Sequence, residues 1–300
     1  MLTNLLDNLK DRGPWGNPKY RGNASGWPLY HLIQFFKPKF VSDFMVGGGT
    51  TKDVCVDLGV DHHVSDLNPA WGGFDLLNDE IPCSSDLIWF HPPYNRKDGG
   101  IILYSGNMWG REKHASDLSH MPWDEYLKAL NKCLAKQYAS LRTGGRLAML
   151  IGDCRQKGKL YSAVFECHKY GELEHVMIKK QENCTSDRTM YSGRFIPIVT
   201  EWLLVFRKTH HYVVDGKKVV AFQVDLRKST KITWRDVVYS ALEALGGAAD
   251  LEALYKEIKN HAKAQKNRHW QAKVRQTLQR GQDFFNVKRG VWALVHKQIA

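Results

Sequence analysis

One stretch, Asp86-Leu87-Ile88-Trp89-Phe90-His91-Pro92-Pro93-Tyr94, constrains this chain more than any other. An apolar run of this length suits a buried strand, and Pro92, with no N–H to give to a ladder, ends it. Consecutive prolines fix φ and hold the residue before them extended. The expected result is a stiff corner at the carboxyl end of a strand, with an imidazole in front, carbonyls in the middle and an aromatic ring behind. Open α/β sheets bind ligands at that end of their strands. Taken alone, the residues also fit a strand followed by an ordinary Pro-Pro loop, so the rest of the chain decides.

Upstream, residues 40–46 read as a buried strand, Gly47-Gly48-Gly49-Thr50-Thr51 as a turn, and residues 52–58 as a helix ended by Gly59. Glycines let the backbone approach a ligand closely, and a helix start offers free N–H groups. The turn lacks the lysine of a phosphate-binding P-loop, which argues against an NTPase. A second strand over 62–68 contains Asp66, where doubly wound folds bind ribose hydroxyls, and Asp75 precedes the His-Pro-Pro-Tyr strand. Singly, each carboxylate would be a solvated loop residue. In this order and spacing they favour a nucleoside site.

The remaining pattern completes an α/β chain. A surface helix is expected over 1–10, irregular structure over 11–26, and a helix from Pro28 to Phe36 with proline in its first turn. Residues 95–121 form a stretch too long for a structureless loop, hence functional or partly ordered. Tyr126, Leu127, Leu130, Leu134 and Tyr138 share one side of a helix over 123–141, which Gly144-Gly145 is expected to cap. A strand over 146–153, a helix over 160–169 and closing strands over 176–180 and 201–207 follow; the connection over 181–195 is polar. This alternation implies a mainly parallel sheet covered on both faces.

Composition narrows the partners. Lys and Arg number 43 against 31 Asp and Glu, a net charge of +12, which favours nucleic acid first and a membrane surface second. The six cysteines form no CxxC pair and read as reduced thiols of a cytosolic protein. The adjacent pairs His62-His63 and His210-His211 diverge, so no metal is expected. No secretory signal or membrane-length apolar run is evident, and a cytoplasmic location without membrane association is expected.

More than half of the excess charge falls in residues 230–300, with thirteen Lys and Arg against six Asp and Glu. Thr233 is placed to cap a helix to Leu245. Further helices are expected over 251–261 and 270–280, then a hairpin over 284–295 turning at Lys288-Arg289-Gly290. Three helices and a basic-tipped hairpin describe a winged helix-turn-helix. Its third helix carries Lys273, Arg275, Gln276, Gln279 and Arg280, which suit phosphates and base edges in a major groove. The same face would also suit a protein-binding winged helix. The expected organisation is a Rossmann-like domain over 1–208, a linker over 209–231 with a small hairpin around Asp215-Gly216, and a winged-helix domain over 232–300.

Over residues 25–208 the chain resembles the amino-methyltransferases that modify exocyclic amines of DNA bases, including those of restriction-modification systems. Asp43-Phe44-Met45-Val46-Gly47-Gly48-Gly49-Thr50-Thr51 resembles the family's methionine-binding strand and loop, usually Asp-Pro-Phe-x-Gly-Ser-Gly-Thr-Thr. Gly26-Trp27-Pro28-Leu29 resembles the segment that closes over the cofactor's carboxylate end. Asp66-Leu67-Asn68-Pro69 is similar to its ribose-binding motif, and Asp75 to the acid that contacts the cofactor's adenine amine. His91-Pro92-Pro93-Tyr94 matches the catalytic Asp/Asn/Ser-Pro-Pro-Tyr/Phe tetrapeptide, with histidine as the departure. Gly144-Gly145-Arg146-Leu147, Gly152-Asp153 and residues 201–208 are similar to later blocks.

The resemblance implies S-adenosylmethionine as cofactor, double-stranded DNA as partner, and transfer to N6 of adenine ahead of N4 of cytosine. An RNA methyltransferase and a non-enzymatic DNA-binding regulator on a degenerate methyltransferase fold are the alternatives. The chemistry suits the residues. The Pro92 carbonyl and a neutral His91 can each accept from an amine N–H, which localises the nitrogen lone pair, while Tyr94 stacks on a base rotated out of the duplex.

Overall fold

A computed structural model describes residues 2–7, 11–109, 112–181, 196–210, 216–217 and 233–295. The chain divides into two compact units, Met1–Val219 and Val220–Ala300. Most of the expected 209–231 linker, including Asp215, and the 182–195 connection lie outside the described residues.

In the first unit, seven strands among the described residues make one mixed sheet. They are β1 (Leu5–Leu6), β2 (Phe40–Asp43), β3 (Asp61–Val64), β4 (Ser85–Phe90), β5 (Leu141–Gly152), β6 (Glu172–Lys180) and β7 (Thr200–Arg207). Their spatial order is β1-β6-β7-β5-β4-β2-β3. Only β7 runs against its neighbours; every other pairing is parallel. The chain winds from β2 outward to β3, then returns to set β4 on the other side of β2. That reversal leaves a crevice at the carboxyl ends of β2 and β4, the place where doubly wound sheets bind ligands.

Side-chain alternation gives the sheet two cores. Leu87 and Trp89 of β4 pack with helices α1 (Trp27–Phe36) and α2 (Thr50–Leu58), while Ile88 and Phe90 face α3 (Trp123–Ser140). β5 and β7 repeat the pattern, with Leu150 and Val205 on the first face and Met149 and Phe206 on the second. α3 buries Tyr126, Leu130, Leu134 and Tyr138 at the four-residue spacing of one helical face. Fully buried leucines of this kind contribute on the order of 2 kcal/mol each.

The structure departs from the sequence pattern at four elements. Leu5–Leu6 is not helical: it adds an edge strand, pairing Leu5 with Ile178 and burying Leu6. Gly144-Gly145 does not cap α3, because Leu141 turns extended and α3 runs straight into β5. The glycine pair instead sits at a register shift against β4, where a β-carbon on Gly145 would come within 3.1 Å of the Ser85 and Asp86 carbonyls. The helix expected over 160–169 shrinks to one turn, Ala163–Glu166. Lys157 and Gly158 take positive φ and fold Cys154–Gln156 onto Lys159–Tyr161 as a hairpin. β2 stops at Asp43 because its carboxylate turns back to accept from the Met45 N–H at 2.9 Å.

Among the described residues, no helix is long and apolar enough to cross a membrane, and no cluster of His, Cys, Asp and Glu could hold a metal ion. The five described cysteines are all free thiols.

The second unit holds α4 (Trp234–Ala244), β8 (Ala248–Asp250), α5 (Leu251–Ile258), a one-turn helix Ala262–Gln265, α6 (Trp270–Arg280), β9 (Phe284–Lys288) and β10 (Val291–Leu294). The strands pair antiparallel in the order β8-β10-β9. Thr233 and Asp236 form a reciprocal capping box at the start of α4, and Asp250 caps α5 through the Ala253 N–H. The core is Val237, Val238, Leu242, Leu254, Ile258, Val274, Leu278, Phe284 and Leu294.

Candidate active site

Two cavities meet in the crevice of the first unit, sharing Gly22, Asn23, His91, Pro93 and Tyr104 as walls. The first is a slot over the ends of β2 and β3. Phe44, Met45, Gly47, Gly48, Asp66, Leu67 and Asp75 line it, along with Tyr20, Phe74, Ser116 and Asp117. The second is roomier, about 490 Å³ against about 80 Å³. Around it stand all four residues of the 91–94 corner, with Arg12, Lys179, Gln181 and Glu201.

The slot is built by carboxylates that fold the loops around it. Asp66 takes the Gly47 N–H at 3.0 Å and the Asn68 N–H at 2.8 Å, tying the glycine turn to the end of β3. Burial, against these two bonds, pushes its carboxyl up to about 6. Asp75 accepts from Ser116 at 2.6 Å and from the Leu77 N–H at 2.9 Å. Its carboxyl is held below the usual range, the Ser116, Asn78 and Leu77 bonds together outweighing burial, which acts the other way. Gly48 is bare because a β-carbon there would stand 2.8 Å from the Asn23 amide. Tyr20 and Tyr104 stack at 5.9 Å over the slot, and Trp109 donates to the Tyr20 hydroxyl at 3.3 Å.

Other residues singled out in the sequence stand behind the slot rather than in its wall. Asp43 is buried and accepts from Thr51 Oγ1 at 2.6 Å; Thr50 Oγ1 donates to Asn23 at 2.6 Å; Gly49, at φ 87°, starts α2. Trp27 packs edge-on to Trp15 and donates to Asp11 at 3.0 Å, and Pro28 is buried in the first turn of α1. Neither lines either of these two cavities.

At the corner, each carbonyl has a distinct fate. Pro93 O accepts from the Tyr126 hydroxyl at 2.8 Å, and Tyr94 O accepts from the Ile101 N–H at 3.2 Å. Among the described residues no donor bonds the Pro92 carbonyl. The Tyr94 hydroxyl donates to Glu201 Oε1 at 2.6 Å and lies 3.0 Å from His91 Nε2. Glu201 Oε2 takes the Lys179 ammonium at 2.6 Å, and Gln181 adds a bond to Oε1 at 3.0 Å. Burial alone would raise the Glu201 carboxyl, but Lys179 and the surrounding donors hold it below its ordinary value. Burial pulls His91 down to about 4, the Glu201 charge opposing and the Lys179 charge assisting, so the imidazole is neutral at neutral pH.

Comparison with known proteins gives only loose likenesses. No family model matches the chain, and no curated protein sequence matches it. Among solved structures, TrmN from Thermus thermophilus is similar at 15% identity and a TM-score of 0.37, over 63% of this chain and 50% of that one. TehB from Haemophilus influenzae is similar at 13% identity and a TM-score of 0.36, over 64% and 65%. TTHA0409, also from Thermus thermophilus and complexed with S-adenosyl-L-methionine, is similar at 17% identity and a TM-score of 0.27, over 59% and 64%. The chain thus spans half to two thirds of these proteins' lengths. Scores this low carry no argument about activity, which rests on the site itself.

Sequence reading overlooked Tyr20, Asn23, Tyr104 and Trp109, although the aromatic density of residues 11–26 and 95–121 signals packing rather than free loop. Glu201 and Lys179 were also missed as site residues. Their signal is a charge at the end of an apolar strand.

In the second unit, Lys273, Arg275, Gln279 and Arg280 are exposed on α6, and Lys288 and Arg289 are exposed at the hairpin. Gln276 is half-buried and accepts from Lys273 at 2.8 Å, while Arg275 donates to the Tyr255 hydroxyl at 2.8 Å.

Proposed function

We propose that the chain is an S-adenosylmethionine-dependent DNA methyltransferase acting on the exocyclic amine of a base turned out of the duplex, N6 of adenine ahead of N4 of cytosine. One observation carries the reading: two cavities join at a corner that offers two acceptors, the Pro92 carbonyl and a neutral imidazole.

The slot's donor set fits the cofactor. Carboxylates of Asp66 and Asp75 suit ribose hydroxyls and an adenine amine, Phe44, Phe74 and Leu118 suit a purine face, and the glycine turn gives a close backbone wall. When bound, S-adenosylmethionine supplies an electrophilic sulfonium methyl group. The chain's own residues supply position and electronics. An aromatic amine is a poor nucleophile because its lone pair is delocalised into the ring. Pro92 O and His91 can accept its two N–H bonds, which favours a pyramidal nitrogen. Tyr94 and the apolar walls exclude water and orient the ring, so catalysis comes from positioning.

The second unit supports a duplex target. Its helices and hairpin have the make-up of a winged helix, and α6 presents Lys273, Arg275, Gln279 and Arg280 outward, as a groove-reading helix would. The basic hairpin tip, Lys288-Arg289, suits a phosphate contact. Incubation with labelled cofactor and mixed duplex DNA, followed by nucleoside mass spectrometry, tests the reading. Label in N6-methyladenine is expected, label in N4-methylcytosine would move the target, and label in RNA alone would overturn the DNA assignment.

A further inference from the structure

Behind the Tyr94 hydroxyl the sheet carries a row of three residues. The registers set Gly152 of β5 opposite Glu201 of β7, and Glu201 opposite Lys179 of β6. Residues directly opposite in antiparallel ladders share a face. Gly152 is bare, which lets the Tyr94 ring pack closely against it; Glu201 and Lys179 are each 8% exposed and joined at 2.6 Å. Taking an ion pair out of water is costly, and apolar residues would serve a sheet as well or better. The pair therefore calls for a use other than stability.

Counting protons supplies one. The Tyr94 hydroxyl has a single proton, and the ionised Glu201, which can only accept, takes it at 2.6 Å. Toward His91 the Tyr94 oxygen is left as an acceptor. The 3.0 Å contact then requires the proton to be on His91 Nε2. A neutral imidazole has one N–H, so Nδ1 carries a lone pair, and among the described residues no hydrogen bond reaches it. The opposite tautomer would need the Tyr94 proton for itself, leaving two oxygens 2.6 Å apart with no hydrogen between them.

We propose that Lys179, Glu201 and Tyr94 form a tautomer lock that holds His91 as the Nε2–H form and so presents Nδ1 as an obligatory acceptor for the substrate amine. Lys179 and Glu201 are positioning residues: Lys179 keeps Glu201 ionised, Glu201 orients the Tyr94 proton, and Tyr94 sets the imidazole. The tautomer stands on geometry alone; its use rests on the methyltransferase reading above. His91's depressed proton affinity agrees with it, since a lock on a neutral ring has no meaning for imidazolium.

The test is nitrogen NMR of the full chain carrying labelled histidine, with the His91 signals assigned by difference against His91→Gln. In wild type, Nε2 of His91 is expected protonated and Nδ1 not. Tyr94→Phe and the double variant Lys179→Met/Glu201→Leu, which keeps apolar volume and the fold, are expected to show mixed tautomers. Their kcat should fall by about tenfold or more, the usual scale for groups that orient a functional ligand, with cofactor Kd little changed. Lys179→Arg preserves the charge beside Glu201 and, unlike the double variant, should keep the wild-type tautomer. An Nδ1–H signal in wild type, or an unchanged tautomer in the folded double variant, overturns the lock. The spectra need no substrate. A wild-type chain that methylates no nucleic acid would overturn the proposed function while leaving the tautomer result to stand.

Discussion

The ring of Tyr94 rests on the α-carbon of Gly152, where an added β-carbon would fall 2.5 Å from Tyr94 Cε2. Gly152 is the last residue of β5, so the sheet itself sets the height of the aromatic ring over the second cavity. Gly152→Ala is expected to push the ring off the sheet and stretch the bond to Glu201. Displacements near 1 Å cost about a hundredfold in rate where catalysis is by positioning. We expect kcat to fall by about that factor while cofactor binding, measured by calorimetry, persists, because Gly152 does not line the slot. A variant with full kcat would show that Tyr94 does not orient the substrate.

His91→Ala and Tyr94→Ala should each abolish most methyl transfer, and both should still bind cofactor. His91→Ala removes one amine acceptor outright, a loss on the scale of about 10²–10³ in kcat for a single group aimed at developing charge. Tyr94→Ala removes the stacking face and the partner of Glu201 together. Full activity in either variant, measured by label transfer to DNA, would sink the assignment of the corner.

The pH dependence follows from the same histidine. Its folded-state value is about 4 against an ordinary 6.5. Both states are neutral above 6.5, so there it contributes nothing to pH dependence. As pH falls from 6.5 toward 4 the unfolded chain takes up the proton and the folded chain does not, and stability is lost over that window. In the proposed mechanism the neutral imidazole is the active form, so kcat at saturating cofactor and DNA should stay flat through 6.5 and fall only near pH 4 or where the fold gives way. A limb in kcat near 6.5 would mean that His91 titrates as an exposed imidazole.

How far the sequence revealed all this differs from element to element. The strand ending at Phe90 was legible because the apolar run and Pro92 act within a few residues. The glycine turn was legible for the same reason, while the bond that Asp66 makes to it across 19 residues was not read, because it forms only once β2, α2 and β3 have packed. Glu201 was not, because it meets Tyr94 across 107 residues and only the sheet order brings them together. The edge strand at Leu5–Leu6 was hidden because its partner, β6, lies far along the chain and a two-residue strand has no period to read. Asp43 illustrates the opposite case: its position was visible, but its burial beneath the turn, with Thr51 as partner, was not.

That burial has a consequence for stability. Asp43 is pushed up to about 7, burial outweighing its bonds to Thr51 and Met45, with the nearby Asp66 adding to the rise. A folded value above the unfolded one, 3.8, means stability is fully present below 3.8 and is lost as pH rises through about 7. Between about pH 5.5 and 8.5 the loss attributable to Asp43 is on the order of 2 kcal/mol. Urea denaturation of wild type and Asp43→Asn at both pH values isolates it. The stability difference between the two proteins should shift by about that amount in favour of the variant at the higher pH. A difference that does not move with pH would show that Asp43 stays ionised throughout.

Under the proposed DNA reading, the exposed residues of α6 divide into one suited to phosphate and one suited to a base edge. Lys273 is exposed and its ammonium bonds, among the described residues, to its neighbour Gln276 alone, so in the proposed complex it can meet a phosphate. Lys273→Ala should weaken binding by a similar factor on all sequences and reduce the slope of log K against log salt by about 1. Gln279, six residues further along α6, is exposed and carries a paired donor and acceptor, which suits adenine in the major groove. Gln279→Ala should leave the salt slope unchanged and narrow the gap between preferred and random duplexes, costing about 1–3 kcal/mol of discrimination. Fluorescence anisotropy across a salt series reads both quantities. Equal salt slopes for wild type and Lys273→Ala, with unchanged affinity, would remove α6 from the DNA contact.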